Sequence, residues 1–377
     1  MLSKFGRSDG GRETWAYSFL PQLTTDFGLE ELRIYGFVYE NEERTVNEEL
    51  LKLAAKNSCR VVPHLFIIPN NKVPAIIHYI RSLRKHLKQN KSPNPSLVLG
   101  VGGFFEGVAI LLSGSFRKTK KVLWLRSIFS NEKAYVIPAF FRGIFTKIER
   151  YVLRKMDVIL SNGYDIQKHY VGLGIEEVHV IKNGINRDLW SVPLRQNTKT
   201  SIAYVGRCSQ VKGVEYFLDS ISNIPSDMIS NFEFHIIGDS GTYKDRIDSL
   251  SNRLNYHGRM SHTEILEMMK SIDFCVALTL SSKSLGGGGT SNAMLEQMAA
   301  KRLLIAWDNE IFTQYLNPEN SILVPQGDVK SLMNAYSKAS NLSYDEKCEK
   351  VENAYAALDE LTLEAMCEKF YKIAVEK

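Results

Sequence analysis

Long apolar runs are missing from this chain: none reaches the ~18 residues that a helix needs to span a bilayer. Its first residues, MLSKFGRSDGG, contain no hydrophobic core of a secretory leader. Cysteine is scarce, with five residues at 59, 208, 275, 348 and 367 in a chain of 377. They form no CxxC pair and no Cys/His cluster with zinc spacing, which argues against a disulfide framework and against a metal site. Neither the GxxxxGK[ST] loop nor the GxGxxG fingerprint occurs, so both common nucleotide signatures are absent. No recognised nucleic-acid motif appears either. These absences lead us to expect a cytoplasmic protein with reduced thiols, no metal and no nucleic-acid partner.

What is present is ordinary in amount and uneven in placement. Apolar residues make up 44% and charged residues 24%, as in a globular protein with a normal core. The net charge of +5 conceals a sign change. Residues 1–190 hold 28 Lys/Arg against 18 Asp/Glu, whereas residues 191–377 hold 19 against 24. Such asymmetry suggests two domains with different partners, the basic half suited to anionic ones.

Short β-branched runs alternate with helical patterns along the whole chain. Strands are expected at 32–38, 60–68, 96–101, 121–126, 158–161 and 178–181, and again at 201–206, 232–238, 274–278, 303–307 and 321–325. Helices are expected between them at 45–56, 73–88, 138–155 and 164–172, then at 213–222, 244–252, 262–271, 292–300 and 329–340. Near-continuous apolar strands separated by helices indicate parallel sheets covered on both faces. Two such sets indicate two doubly wound α/β domains, with a polar linker at 191–200.

Open α/β sheets bind ligands beyond the carboxyl ends of their strands, so the loops after strands matter most. In VGRCSQVKG, Arg207 and Lys212 flank a loop that opens a helix at Gly213. Two cations beside a helix N-terminus make an anion site. The spacing fits a solvated turn with two surface cations equally well. The second loop is GGGGTSNAMLEQMAA, residues 286–300. Glycines let bare backbone approach a ligand, and successive N–H groups form an anion-binding nest. Thr290, Ser291 or Asn292 can cap the following helix, and Glu296, one turn in, can accept two hydroxyl donors such as a ribose diol. A flexible linker before an ordinary capped helix is the plainer reading, and it fits four glycines between a buried strand and a helix poorly.

The segment 138–155, PAFFRGIFTKIERYVLRK, has helical periodicity. It places Phe141, Ile144, Phe145, Ile148 and Tyr151/Val152 on one face, and Arg142, Lys147, Arg150, Arg154 and Lys155 elsewhere. Residues 116–155 hold 11 Lys/Arg and 2 Asp/Glu. A core-facing stripe explains the face; the basic excess points to peripheral contact with an anionic membrane.

In order and spacing, these motifs resemble the family-4 retaining glycosyltransferases of the GT-B fold, two Rossmann-like domains facing across a cleft. VGRCSQVKG is similar to their GR-x4-KG loop, HIIGDSG (235–241) to their glycine-aspartate turn, and GTSNAMLEQMAA to the helix carrying their second glutamate. DGGRETWAYSFLPQL (9–23) resembles their N-terminal glycine loop and helix, and LTLEAMCEKFYKI (361–373) their final helix. The resemblance implies an acceptor domain at 1–190, a linker at 191–200, a donor domain at 201–358 and a returning helix at 359–377. It implies that Arg207 and Lys212 hold the donor diphosphate and act in catalysis without a metal. It also implies that Glu296 binds the ribose, that Gly288, Gly289, Thr290 and Ser291 offer phosphate contacts, that backbone near Arg259 and Met260 holds the base, and that Gly10 and Gly11 approach the diphosphate. No cofactor is implied beyond a UDP- or GDP-type nucleotide-sugar substrate. The acceptor would be a glycan or lipid-linked glycan of a bacterial surface polysaccharide, reached at the inner face of the cytoplasmic membrane.

Three departures stand out. The family's paired glutamates lie eight apart, and Gly288 occupies the first position. Arg126 stands where an acceptor-side histidine is usual and could hold an acidic or phosphorylated acceptor; a surface cation at a strand end explains it equally. The family's first strand is either very short here or encoded upstream of Met1. The alternative function is a non-catalytic GT-B subunit that binds nucleotide or glycan for a partner.

Overall fold

The structure, a computed structural model, describes residues 1–4, 11–39, 59–68, 74–90, 95–129, 139–193, 199–281 and 289–376. The expected helix at 45–56, Gly10, Pro138 and the first three glycines of the run at 286–289, Gly288 among them, lie outside them. Two compact units result: Met1–Gly184 with Gly288–Thr290 and Leu363–Lys377, and Ile185–Gly287 with Ser291–Thr362.

Unit 1 is built on seven strands: β1 (Leu2–Lys4), β2 (Glu31–Tyr39), β3 (Arg60–Ile68), β4 (Leu97–Gly102), β5 (Lys120–Leu125), β6 (Val158–Ser161) and β7 (His179–Val180). Their order is β3-β2-β1-β4-β5-β6-β7, and every described pairing is parallel. The three-residue β1 is central, with Leu2 opposite both Tyr35 and Gly100. Around the sheet lie α1 (Gly11–Asp26), α2 (Pro74–Gln89), α3 (Phe104–Ser113), α4 (Ala139–Leu153) and α5 (Tyr164–Gly172). Helix α3 escaped the periodicity reading because FFEGVAILLS is apolar almost throughout, so no polar face marks it.

The apolar face expected over 138–155 is split in two. Glu149, Val152 and Leu153 are buried, and Glu149 accepts a 2.6 Å hydrogen bond from the Tyr170 hydroxyl. Phe145 packs against the same core, while Ile144, Ile148 and Tyr151 stay 49%, 43% and 61% exposed. The core claims the arc centred on Val152 and Glu149, because a buried carboxylate with a hydroxyl donor is tolerated there. The neighbouring apolar arc therefore faces outward.

Unit 2 has six strands, β8 (Thr200–Val205), β9 (Phe232–Ile237), β10 (Leu254–Gly258), β11 (Phe274–Ala277), β12 (Leu303–Asp308) and β13 (Ser321–Pro325), in the order β10-β9-β8-β11-β12-β13, again parallel. Its helices are α6 (Val214–Asn223), α7 (Lys244–Ser249), α8 (His262–Met269), α9 (Asn292–Ala299), α10 (Val329–Ser340) and α11 (Tyr344–Ala356). The last described α-helix, α12 (Leu363–Tyr371), is grouped with unit 1. There Phe370 stacks on Trp124, and Met366 accepts a 3.2 Å hydrogen bond from the Trp15 indole. Helix α11 was not expected from the sequence because its apolar stripe is weak; its N-terminus is held by a Ser343–Glu346 capping box.

In each unit the strand order reverses direction beside the first strand, between β1 and β4 and between β8 and β11. At such a switch point the loops diverge and leave a crevice at the carboxyl ends of the strands.

Candidate active site

The second unit's switch point brings the Arg207–Lys212 loop against the described start of the loop after β11 and beside the crevice of Glu296. After β8 the chain turns at Gly206, and Cys208 N–H donates to the Asp239 carbonyl at 2.8 Å. The buried Tyr204 hydroxyl donates to the carbonyls of Arg207 (2.9 Å) and Lys212 (3.3 Å), so one phenol gathers both ends of the loop. Gly213, at φ +67, starts α6; a Cβ there would lie 2.1 Å from the Leu278 carbonyl oxygen, so only glycine lets this loop meet the one after β11. Leu280 N–H then donates to the Val211 carbonyl at 2.9 Å.

This stitching places Lys212 against Thr279, whose hydroxyl accepts from Lys212 Nζ at 3.3 Å. Burial pulls the Lys212 ammonium down to about 8, and the charge of Arg207 pulls the same way. Arg207 itself is exposed. Among the described residues neither cation has a carboxylate partner within ion-pair distance. Two like charges held on one short loop repel each other, and an anion between them relieves that repulsion. Thr279 was not among the residues read from the sequence; a lone threonine after a strand carries no signal until the fold puts it against Lys212.

Arg259 directs its guanidinium onto Asp239, with Nη2 at 2.6 Å from Oδ2. That bond, together with the N–H of Gly241 at 3.0 Å, holds the Asp239 carboxyl below the usual carboxylate range. The pair ties the turn after β9 to the one after β10. The backbone of Arg259 and Met260 then leads into α8, capped by Ser261 with Glu264.

Helix α9 carries Glu296. Its N-cap is Ser291, whose hydroxyl accepts from Met294 N–H at 3.4 Å. Glu296 is half-buried in a narrow crevice lined by Trp190, Val205, Ile265, Met269, Ala293 and Gln297. Burial alone raises its carboxyl to about 7. Val205 is the last residue of β8, so this crevice borders the Arg207–Lys212 loop.

The end of the glycine run is engaged within unit 1. Gly289 N–H donates to the Asp165 carboxylate at 2.8 and 3.1 Å, and the N–H and hydroxyl of Thr290 both donate to the Asn162 carbonyl, at 3.1 and 2.6 Å. Gly289 has φ +74, and a Cβ there would meet the Asn162 amide at 2.2 Å. Close backbone approach is thus what this glycine provides here, and the approach is to protein. A phosphate would have to exchange with Asp165 for the Gly289 N–H.

Gly11 begins α1. Arg126 follows β5 in unit 1, where its N–H donates to the Gly102 carbonyl at 2.9 Å and its guanidinium lies 4.3 Å from the Trp15 ring centroid.

Comparisons with known proteins agree with this picture. Residues 33–189 match the family described as Glycosyltransferase Family 4, and residues 199–341 match the one described as Glycosyl transferases group 1. An uncharacterized glycosyltransferase of Methanocaldococcus jannaschii is 23% identical over 323 residues, 79% of this chain and 77% of that one. Among solved structures, Anabaena HepE in complex with UDP and glucose superimposes with a TM-score of 0.72 at 14% identity, covering 100% of this chain and 98% of HepE. The lipopolysaccharide outer core galactosyltransferase WaaB, in its apo form, does so with a TM-score of 0.67 at 14% identity, covering 99% and 98%. At such identity the structural likeness is one of fold, and the GT-B architecture is common to them. The two family matches together span most of the sequence, and the chain belongs to family 4 of the GT-B glycosyltransferases.

Proposed function

We propose that this protein is a retaining, metal-independent hexosyltransferase that moves a sugar from a UDP- or GDP-linked donor to a glycan or lipid-linked glycan. The observation that carries this reading is the pairing of Arg207 and Lys212 on one loop beside the crevice of Glu296. A departing nucleoside diphosphate gains negative charge as its bond to the sugar breaks. Fixed cations aimed at that charge lower the barrier, because they need no reorganisation when it develops. They supply the positive charge that a divalent ion would otherwise bring. Glu296 would accept the two ribose hydroxyls, backbone at Arg259 and Met260 would hold the base, and Ser291 would approach the phosphates; Gly289 and Thr290 would join it only by giving up Asp165 and Asn162. Gly10, Gly11 and Gly288 keep the roles that the family resemblance implies, and Arg126 is the candidate for an acidic acceptor. HepE, crystallised with UDP and glucose, favours UDP and a hexose. WaaB, a lipopolysaccharide galactosyltransferase, favours surface polysaccharide synthesis. Incubation of the purified protein with UDP-glucose and chelator tests this: release of UDP supports a metal-independent transferase, and no binding of UDP or GDP sinks the reading.

The second reading is a non-catalytic subunit. Gly288, in place of the family's first glutamate, favours it. Nucleotide binding without any turnover of a panel of UDP- and GDP-sugars would select it.

Nucleotide affinity should follow a bell-shaped pH profile. In the free protein Glu296 titrates at about 7 and accepts two hydroxyls only as the carboxylate, so affinity rises as pH rises through 7. Lys212 titrates at about 8 and attracts phosphate only as the ammonium, so affinity falls as pH rises beyond that. Between pH 6 and 7.5 the ionised fraction of Glu296 grows about eightfold, and the dissociation constant should fall by up to that factor. Calorimetry with UDP across pH 5.5–9.5 checks this; Glu296→Gln should flatten the acid limb and leave the alkaline one.

Membrane contact would use the outward arc of α4. Ile144, Ile148 and Tyr151 are exposed beside Arg142, Lys147, Arg154 and Lys155. Sedimentation with vesicles rich in phosphatidylglycerol should retain the protein, and pure phosphatidylcholine should not. The double variant Ile148→Glu/Tyr151→Glu should weaken retention by at least about tenfold.

A further inference from the structure

The segment between the two units' sheets is held on unit 2 over its described length. Ile185 N–H donates to the Leu361 carbonyl at 2.8 Å, Arg187 pairs with Asp359 and lies 4.9 Å over the Tyr355 ring, and the carbonyls of Val192 and Pro193 accept from the buried Arg302 at 2.8 and 3.0 Å. Trp190 sits between these anchors, 8% exposed, with its ring centroid 5.4 Å from that of His262 on α8. Its other neighbours are those of Glu296: Val205, Ile265, Met269, Ala293 and Gln297 line one crevice with both.

We propose that Trp190 is a positioning residue of the nucleotide site: its indole closes the crevice beside Glu296, keeps water from one side of that carboxylate and fixes the direction in which it can accept hydroxyl donors. The proposal rests on the nucleotide reading of Glu296. A chain segment outside the donor sheet thereby becomes part of the donor site.

The surroundings fit this role. Every other lining residue except Gln297 is apolar, so nothing on the walls competes to solvate a carboxylate. His262 reaches Trp190 from α8, and burial lowers its imidazole below the ordinary range, so it is neutral at pH 7. Arg207 lies on the exposed loop after β8, and Arg187 is occupied by Asp359. No charged group from the segment, β8 or α8 shifts Glu296, whose raised carboxyl has burial as its cause. A bulky apolar ring beside a carboxyl is a direct way to produce that burial.

The test reads the Glu296 carboxyl directly. Protein labelled with carbon-13 at glutamate δ-carbons is titrated by NMR, with Glu296→Gln assigning the resonance, in the parent chain and in Trp190→Ala and Trp190→Phe. We expect Trp190→Ala to move the Glu296 midpoint down by at least one pH unit, and Trp190→Phe, which keeps a ring, to move it by less than half as much. Calorimetry with UDP on the same proteins should show the rise in affinity between pH 6 and 7.5 shrinking from about eightfold to under about twofold in Trp190→Ala. An unmoved midpoint in either folded variant that should shift, Trp190→Ala or, if that one does not fold, Trp190→Leu, overturns the proposal. A merely structural role would lower stability or affinity at all pH values alike and would leave the midpoint in place. Absence of UDP binding in the parent chain at every pH would sink the nucleotide reading instead, while the titration shift would still report the shielding.

Discussion

Lys212→Met is expected to lower turnover of a nucleotide-sugar donor by about 10²–10³-fold while changing donor KM by much less. That range is typical for removing one preorganised group whose interaction with the diphosphate strengthens as the leaving group gains charge in the transition state. Lys212 qualifies because it is half-buried, because Thr279 orients it at 3.3 Å and because burial, with the charge of Arg207 acting the same way, brings its ammonium down to about 8. A side chain in that setting interacts with new negative charge far more strongly than one in water. Arg207→Ala should cost less, about tenfold, because the exposed guanidinium acts through solvent and salt. Lys212→Arg should restore part of the loss, since it keeps the charge but cannot keep the contact with Thr279. Steady-state kinetics of sugar-donor hydrolysis measures all three. Equal effects of Lys212→Met and Arg207→Ala would show that the buried position of Lys212 does not matter.

The second large effect concerns stability. Arg302→Met should destabilise unit 2 by about 3–5 kcal/mol, because a buried cation and its satisfied carbonyls are lost together. Arg302 is 1% exposed. Its Nε donates to Ala300, Nη1 to Ile272, and Nη2 to Val192 and Pro193, at 2.8, 2.8, 2.8 and 3.0 Å. Methionine fills the space but leaves four carbonyls without their donor. Arg302→Lys should recover less than half, as one ammonium cannot span the fork of a guanidinium. Urea unfolding followed by tryptophan fluorescence gives the loss. Because two of the four carbonyls belong to the segment carrying Trp190, trypsin should also cut near residues 187–199 faster in Arg302→Met. A loss below about 1 kcal/mol would mean that water satisfies those carbonyls.

Arg302 also shows where reading from sequence stops. A single arginine before LLIAW looks like a surface cation, because nothing local distinguishes a guanidinium in water from one that caps carbonyls of three separated segments. Thr279 and Trp190 are similar cases. Each gains meaning from a partner far along the chain, Lys212 for one and Glu296 for the other, and only folding creates those pairs. The strand β10 carries little signal in the sequence because LNYHG is five residues long with only Leu254 and Tyr256 apolar, and it lies at a sheet edge.

What could be read in advance rested on local physics. The parallel strands announced themselves as apolar β-branched runs, since burial on both faces forces that composition. The loops with Arg207, Lys212 and Glu296 stood out because strand ends with paired cations, or with glycines before a helix, are locally unusual. Their convergence at the β8/β11 switch point came from strand order, and strand order is a matter of long-range pairing that no window of sequence contains. The glycine run shows the division most clearly. Its composition says that backbone must come close to something, and glycine's missing side chain is sufficient reason. Which partner it meets depends on the shape brought against it: at Gly289 that partner is the Asp165 carboxylate and the Asn162 side chain, and a phosphate, the partner expected from the sequence, would have to take their place.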